Sequence, residues 1–152
     1  MKAKRIAIIL GSKSDQEALK AGFDLMNEFS LGFTLKVISA HRHPEELRTF
    51  CLSARKQGVE VIIACAGMAA ALPGFIASYT DIPVIGVALK GGLLDGLDAL
   101  LSMVSTPKGI GLVSAGIGAP AFINAIIVAL EILALKDKSC AATLTKLKKK
   151  FK

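Results

Sequence analysis

Both histidines of this chain, His41 and His43, fall within the stretch SAHRHPEEL, and Arg42 stands between them. Side by side, imidazole and guanidinium offer two chemistries. The first gains or loses a proton near neutral pH. The second is a planar fork that donates paired hydrogen bonds to a phosphate. His41 is the candidate for proton transfer. His43 precedes Pro44, where a helix start is expected, so capping or solvent exposure is its simpler role.

A second group is GSKSDQE. Gly11 permits close backbone approach, Ser12 and Ser14 offer small hydroxyl donors, and amides at a helix start hold anions. Ser14 also has a local role, because Glu17 three residues on completes a capping-box pattern. Asp15 supplies a carboxylate, which is favourable in a first turn for local reasons alone. A third group, AGMAAALPG, holds Gly67, Met68, Ala71 and Leu72 and is entirely small or apolar. It suits a substrate-cradling loop of backbone amides or a tightly packed turn. KGGLLDGLDALL, with two glycines together, reads equally as a mobile lid or as the start of a helix.

Other chemistries find no footing. There is no GxGxxG or GKS/T, so neither a dinucleotide nor a P-loop nucleotide is indicated. No serine–histidine–acid order or paired glutamates stand out. Two histidines without clustered carboxylates are a poor basis for metal chemistry. Cys51, Cys65 and Cys140 are odd in number and scattered, matching neither a disulfide framework nor a metal site. The cytoplasm is therefore the default location.

The elements that must position these groups alternate along the chain. Strands are expected at residues 5–10, 34–38, 59–67, 81–89 and 109–115. Helices are expected from Ser14 to about residue 29, then at 44–57, 72–79, 95–104, 120–135 and 139–151. The 152 residues are enough for one core, and with a single Tyr and no Trp that core must be aliphatic. Five strands alternating with helices argue for a three-layer α/β domain, a five-stranded parallel sheet with helices on both faces. In such sheets ligands bind outside the carboxyl ends of the strands. The three candidate turns follow strands one, two and three, so Asp15 and His41 are expected at one edge.

Residues 61–80 and 109–130 carry no charge, yet LPG and GIGAP punctuate them, so each reads as strand, turn and buried helix rather than a membrane span. MKAKRIAIIL has a basic start, but its apolar run is too short for a signal peptide. Lys146, Lys148, Lys149, Lys150 and Lys152 supply five of the seven net positive charges. The expected division is thus a domain at 1–138 and a basic helical tail at 139–152. Lysines closing a helix are favourable in themselves, so no nucleic-acid partner is expected.

Taken in order, GSKSD, SAHRHPEEL, VIIACAGMAAALPGFIASYTDIPVIGV, LDGLDALLSMVSTPKGI and NAIIVALEILALKDK resemble the aminoimidazole ribonucleotide carboxylase family of purine biosynthesis. The resemblance covers residues 6–138. It implies a flavodoxin-like domain in a homo-octamer with sites between subunits, and no metal or organic cofactor. Most bacterial and archaeal members are N5-carboxyaminoimidazole ribonucleotide mutases, in which the N5 carboxyl leaves as trapped CO2 and is added to C4. By that resemblance His41 shuttles the proton between the carboxylate and C4, and Asp15 holds the ribose. Ser12, Ser14 and Arg42 hold the phosphate, Ser39 and Ala40 shape the pocket, and residues 67–72 enclose CO2. The family usually reads GGAAHLPG where this chain reads GMAAALPG, so Ala71 replaces a second pocket histidine and Met68 a glycine. The usual QMP is Ser105, Thr106, Pro107, and His43 stands where threonine is common. The resemblance implies a mutase, with a direct carboxylase, a paralogue for another heterocyclic nucleotide and a non-catalytic nucleotide-binding subunit as alternatives.

Overall fold

The computed structural model describes residues 4–152; the basic start of the N-terminal run, residues 1–3, lies outside them. Strands β1 (Ile6–Leu10), β2 (Phe33–Val37), β3 (Val61–Ala66), β4 (Val84–Ala88) and β5 (Val113–Ile117) form one sheet. Its order is β2-β1-β3-β4-β5 and every pairing is parallel. This is the flavodoxin-like winding. Every residue of β1, β3 and β4 is buried, while the edge strands β2 and β5 are partly open. Central parallel strands face helices on both sides, which explains why their sequences are continuously aliphatic instead of alternating.

The helices are α1 (Asp15–Ala18), α2 (Lys20–Glu28), α3 (Pro44–Ala54), α4 (Ala71–Tyr79), α5 (Leu97–Val104), α6 (Gly118–Ala134) and α7 (Lys138–Lys149). Two cores result. Ile6, Ile8 and Leu10 pack with α2, α6 and α7; Ala7 and Ile9 pack with α3, α4 and α5. Helix α2 lies so close to α6 that a Cβ at Gly22 would stand 2.3 Å from Phe122. The last helix is tied down as well. Leu147 is fully buried, and Asp137 caps the N-terminus by accepting the Ser139 and Cys140 amides. Arg5 pairs with Asp137 at 2.6 Å and Glu60 at 2.5 Å, and Lys148 and Lys150 pair with Glu131 and Glu28.

Two elements differ from expectation. The fifth strand runs from Val113 to Ile117 rather than 109–115, because residues 109–112 stay outside the ladder and Gly109 takes a left-handed φ of 96°. The helix after β1 is divided at Leu19, whose φ of −106° and ψ of 6° leave the helical region while its side chain is fully buried. Among the described residues, no helix is long and apolar enough to cross a membrane.

Candidate active site

The winding reverses between β1 and β3, where α/β sheets open a crevice at their carboxyl ends. Leu10 is in register with both Val37 and Cys65, so β1 ends level with β2 and just before the end of β3. Backbone bonds join the ends: the Ile38 amide donates to the Leu10 carbonyl at 2.9 Å, and the Gly11 amide to the Cys65 carbonyl at 3.3 Å. The three turns singled out from the sequence therefore leave one edge of the sheet.

In the first turn the Asp15 carboxylate accepts the Ser12 amide at 2.9 Å. The Ser12 and Ser14 hydroxyls lie 2.9 Å apart and share a hydrogen bond. The expected capping box is absent. Ser14 already has helical backbone angles, and its side chain caps nothing. Its hydroxyl is thereby left at the turn beside that of Ser12. Burial raises the Asp15 carboxyl above the usual range, an effect opposed by the amides of Ser12 and Gly11.

In the second turn the Ser39 hydroxyl accepts the Arg42 amide at 3.3 Å, and the Ser39 carbonyl accepts the His43 amide at 2.9 Å. His43 occupies the N-cap position of α3 without a side-chain cap, and Pro44 opens the helix as expected. Ala40 is buried, whereas His41, Arg42 and His43 are exposed. Imidazole and guanidinium are thus open to a ligand at the edge that also carries Asp15.

The third turn is made by backbone. The Ala70 amide donates to the Gly67 carbonyl at 3.0 Å. Met68 and Ala70 have φ values of 56° and 40°, a left-handed conformation that side chains disfavour. Ala70 and Leu72 are buried, Ala71 is half-buried at the first position of α4, and Met68 is 68% exposed. No side chain from Gly67 to Leu72 can exchange a proton. Sequence reasoning missed what stands behind this turn. Residues 89–92 pack against it, with the Leu89 carbonyl 3.4 Å from where a Cβ of Gly67 would lie. The adjoining glycines 91 and 92 after a strand are the sequence signal for such a close approach.

The AIR carboxylase family matches residues 5–152. The chain belongs to that family. Two of its relatives, each named N5-carboxyaminoimidazole ribonucleotide mutase, come from a bacterium and an archaeon. The Vibrio parahaemolyticus protein is 44% identical over 138 residues, covering 91% of this chain and 86% of that one. The Pyrococcus abyssi protein is 44% identical over 148 residues, covering 97% and 84%. A crystal structure of Treponema denticola PurE superposes with a TM-score of 0.80 over 95% of this chain and 89% of that one. At 22% identity that likeness speaks for the fold. AIR carboxylase sequences thus extend over the basic last helix as well as the sheet.

Proposed function

We propose that this AIR carboxylase family member is an N5-carboxyaminoimidazole ribonucleotide mutase of purine biosynthesis, which moves the carboxyl group from N5 to C4 to give 4-carboxyaminoimidazole ribonucleotide. The observation that carries this reading is the gathering of a carboxylate, an imidazole and an amide-rich apolar turn at one sheet edge, in a chain 44% identical to proteins of that name.

The roles are those the family resemblance implies, and the chemistry of each turn suits them. The reaction breaks the N5–carboxyl bond, forms the C4–carboxyl bond and transfers one proton from C4 to N5. One group that both accepts and donates a proton suffices, and His41 is that group. Asp15 binds ribose hydroxyls. The Ser12 and Ser14 hydroxyls and the Arg42 fork hold the phosphate, while Gly11, Ser39 and Ala40 shape the pocket beside them. Gly67, Met68, Ala71 and Leu72 enclose CO2 in apolar surroundings, which keep water from the intermediate. No organic cofactor or metal is assigned to these steps.

Direct carboxylation of aminoimidazole ribonucleotide is the second reading. Ala71 favours it, since that side chain offers no group to a carbamate. Turnover assayed separately with the carbamate and with aminoimidazole ribonucleotide plus bicarbonate decides. Product from the carbamate alone supports the mutase, and product only at high bicarbonate supports the carboxylase. No product with either excludes both.

The working unit is a homo-octamer in the cytoplasm. An apolar stripe supports self-association: Leu97, Leu101 and Val104 recur on one face of α5 and are 46%, 49% and 61% exposed, and Leu93 and Leu94 are exposed in the loop before it. Burying such a stripe against another copy is favourable. The exposure of His41, Arg42 and Met68 fits a site closed by a neighbouring subunit. Residues 1–138 form the α/β domain in this reading, with 139–152 as a basic last helix that packs Leu147 into the same core.

A further inference from the structure

The turn at residues 67–70 is strained, and something must hold it. Two residues other than glycine in left-handed backbone persist only where their surroundings over-determine them. Within the turn, the Ala70 amide bonds the Gly67 carbonyl. Its outer side rests on the β4–α5 connection: Gly67 lies against the Leu89 and Lys90 carbonyls, and a Cβ at Gly92 would stand 3.4 Å from the Met68 Cα. The backbones of Met68 and Gly92 therefore lie side by side.

On its other side Gly92 faces an Asp98 carboxylate oxygen, 2.6 Å from where its Cβ would stand. Gly91, Gly92 and Gly96 have φ values of 99°, 80° and 97°, and residues 90–95 are all exposed within the subunit, so this stretch rests on few packed side chains. Asp95 supplies the fastening. One carboxylate oxygen accepts the Gly91 amide at 3.2 Å, and the other faces the Lys90 ammonium at 3.9 Å. The side chain thereby closes the connection into a small ring. Asp95 is itself left-handed, with φ of 47°, a conformation aspartate and asparagine tolerate better than most residues.

We propose that Asp95 is a positioning residue of the site: by fastening Gly91 it holds Gly92 against Met68 and so fixes the amides of residues 67–70. This rests on the reading of that turn as the CO2 enclosure. Asp95 touches no reacting atom and acts through the turn alone.

Three proteins test it: wild type, Asp95→Gly and Asp95→Asn. Glycine keeps the left-handed backbone and loses the fastening, while asparagine keeps an oxygen for the Gly91 amide. The first readout is hydrogen exchange at the Ala70 amide, which needs no substrate. Asp95→Gly speeds it about tenfold while Asp95→Asn stays within about twofold of wild type. The second is steady-state turnover of the carbamate. Asp95→Gly raises KM and lowers kcat/KM about tenfold, and Asp95→Asn restores both. Unchanged Ala70 exchange in Asp95→Gly overturns the proposal, as does equal loss in both variants. If the wild type fails to turn over the carbamate yet Asp95→Gly speeds Ala70 exchange, the functional reading falls and the mechanical coupling stands.

Discussion

The Asp15 carboxylate turns back on its own loop and accepts the Ser12 amide at 2.9 Å. That carboxylate orders the backbone of its turn while losing solvent. Burial, the larger influence, raises its pKa in spite of the amides. Its charge therefore opposes folding at neutral pH, because a group whose pKa rises on folding loses its stabilising contribution as pH rises through the folded value. Asp15→Asn is expected to raise Tm at pH 7 while weakening nucleotide binding about tenfold or more. A calorimetric scan and a substrate titration check the two halves, and a lower Tm would contradict the first.

Turnover tests His41. Replacing an imidazole that both takes and returns a proton is expected to cut kcat by about 10²- to 10⁴-fold. His41→Asn keeps polarity and approximate size, and the residue is exposed, so Tm should not change. Nearly full activity in this variant would remove His41 from the mechanism.

Acid should loosen the last helix first. The Asp137 carboxyl is held well below the usual range by the Ser139 hydroxyl, the Cys140 and Ser139 amides and Arg5, and Glu60 is lowered chiefly by its bond to Arg5. In acid the folded chain thus binds fewer protons than the unfolded one. The stabilisation from both groups is complete above their ordinary pKa of about 4 and is lost as pH falls toward the folded values. Asp137→Asn, which keeps a cap, should show a smaller drop in Tm between neutral pH and pH of about 3 than wild type.

The approach of α2 to α6 leaves no room for a methyl group at Gly22. In Gly22→Ala the new carbon would lie 2.3 Å from the fully buried Phe122 ring, so the helices must part. Overpacking of this kind costs about 1–3 kcal/mol, or about 2–10 °C in Tm for a chain of this size. Thermal unfolding measures it. A wild-type Tm would mean that the ring moves aside freely.

A charge on the α5 stripe should separate subunits. Leu101→Glu places a carboxylate on the face shared with Leu97 and Val104 and is expected to lower the mass found by light scattering. A mass unchanged from wild type would place the interface elsewhere.

Strand and helix alternation made the fold legible, because the central strands are continuously aliphatic and starts such as HPEEL mark their helices. The candidate site turns were also visible, since GSKSD and SAHRHP each end a strand. What could not be read was governed by contacts distant in sequence. Ser14 looked like a cap, but its own backbone is already helical and its side chain accepts no amide of the first turn. The fifth strand starts later than its aliphatic run because only from Val113 does the chain pair with β4, a contact that no local pattern announces. The strain at Met68 and its support by Gly92 depend on two loops meeting, so neither sequence segment shows it alone.

The level strand ends also restrict how the chain can change in length. Adding one residue within β1 would carry the Asp15 turn about 3.3 Å past the His41 turn. It would also exchange the faces of every later strand residue, driving Ile9 toward the layer that holds Ile8 and Leu10. One insertion would thus spoil the site and both cores at once. An added residue is expected to do less harm in a segment that sets neither strand register nor a candidate site turn, such as residues 105–112 between α5 and β5.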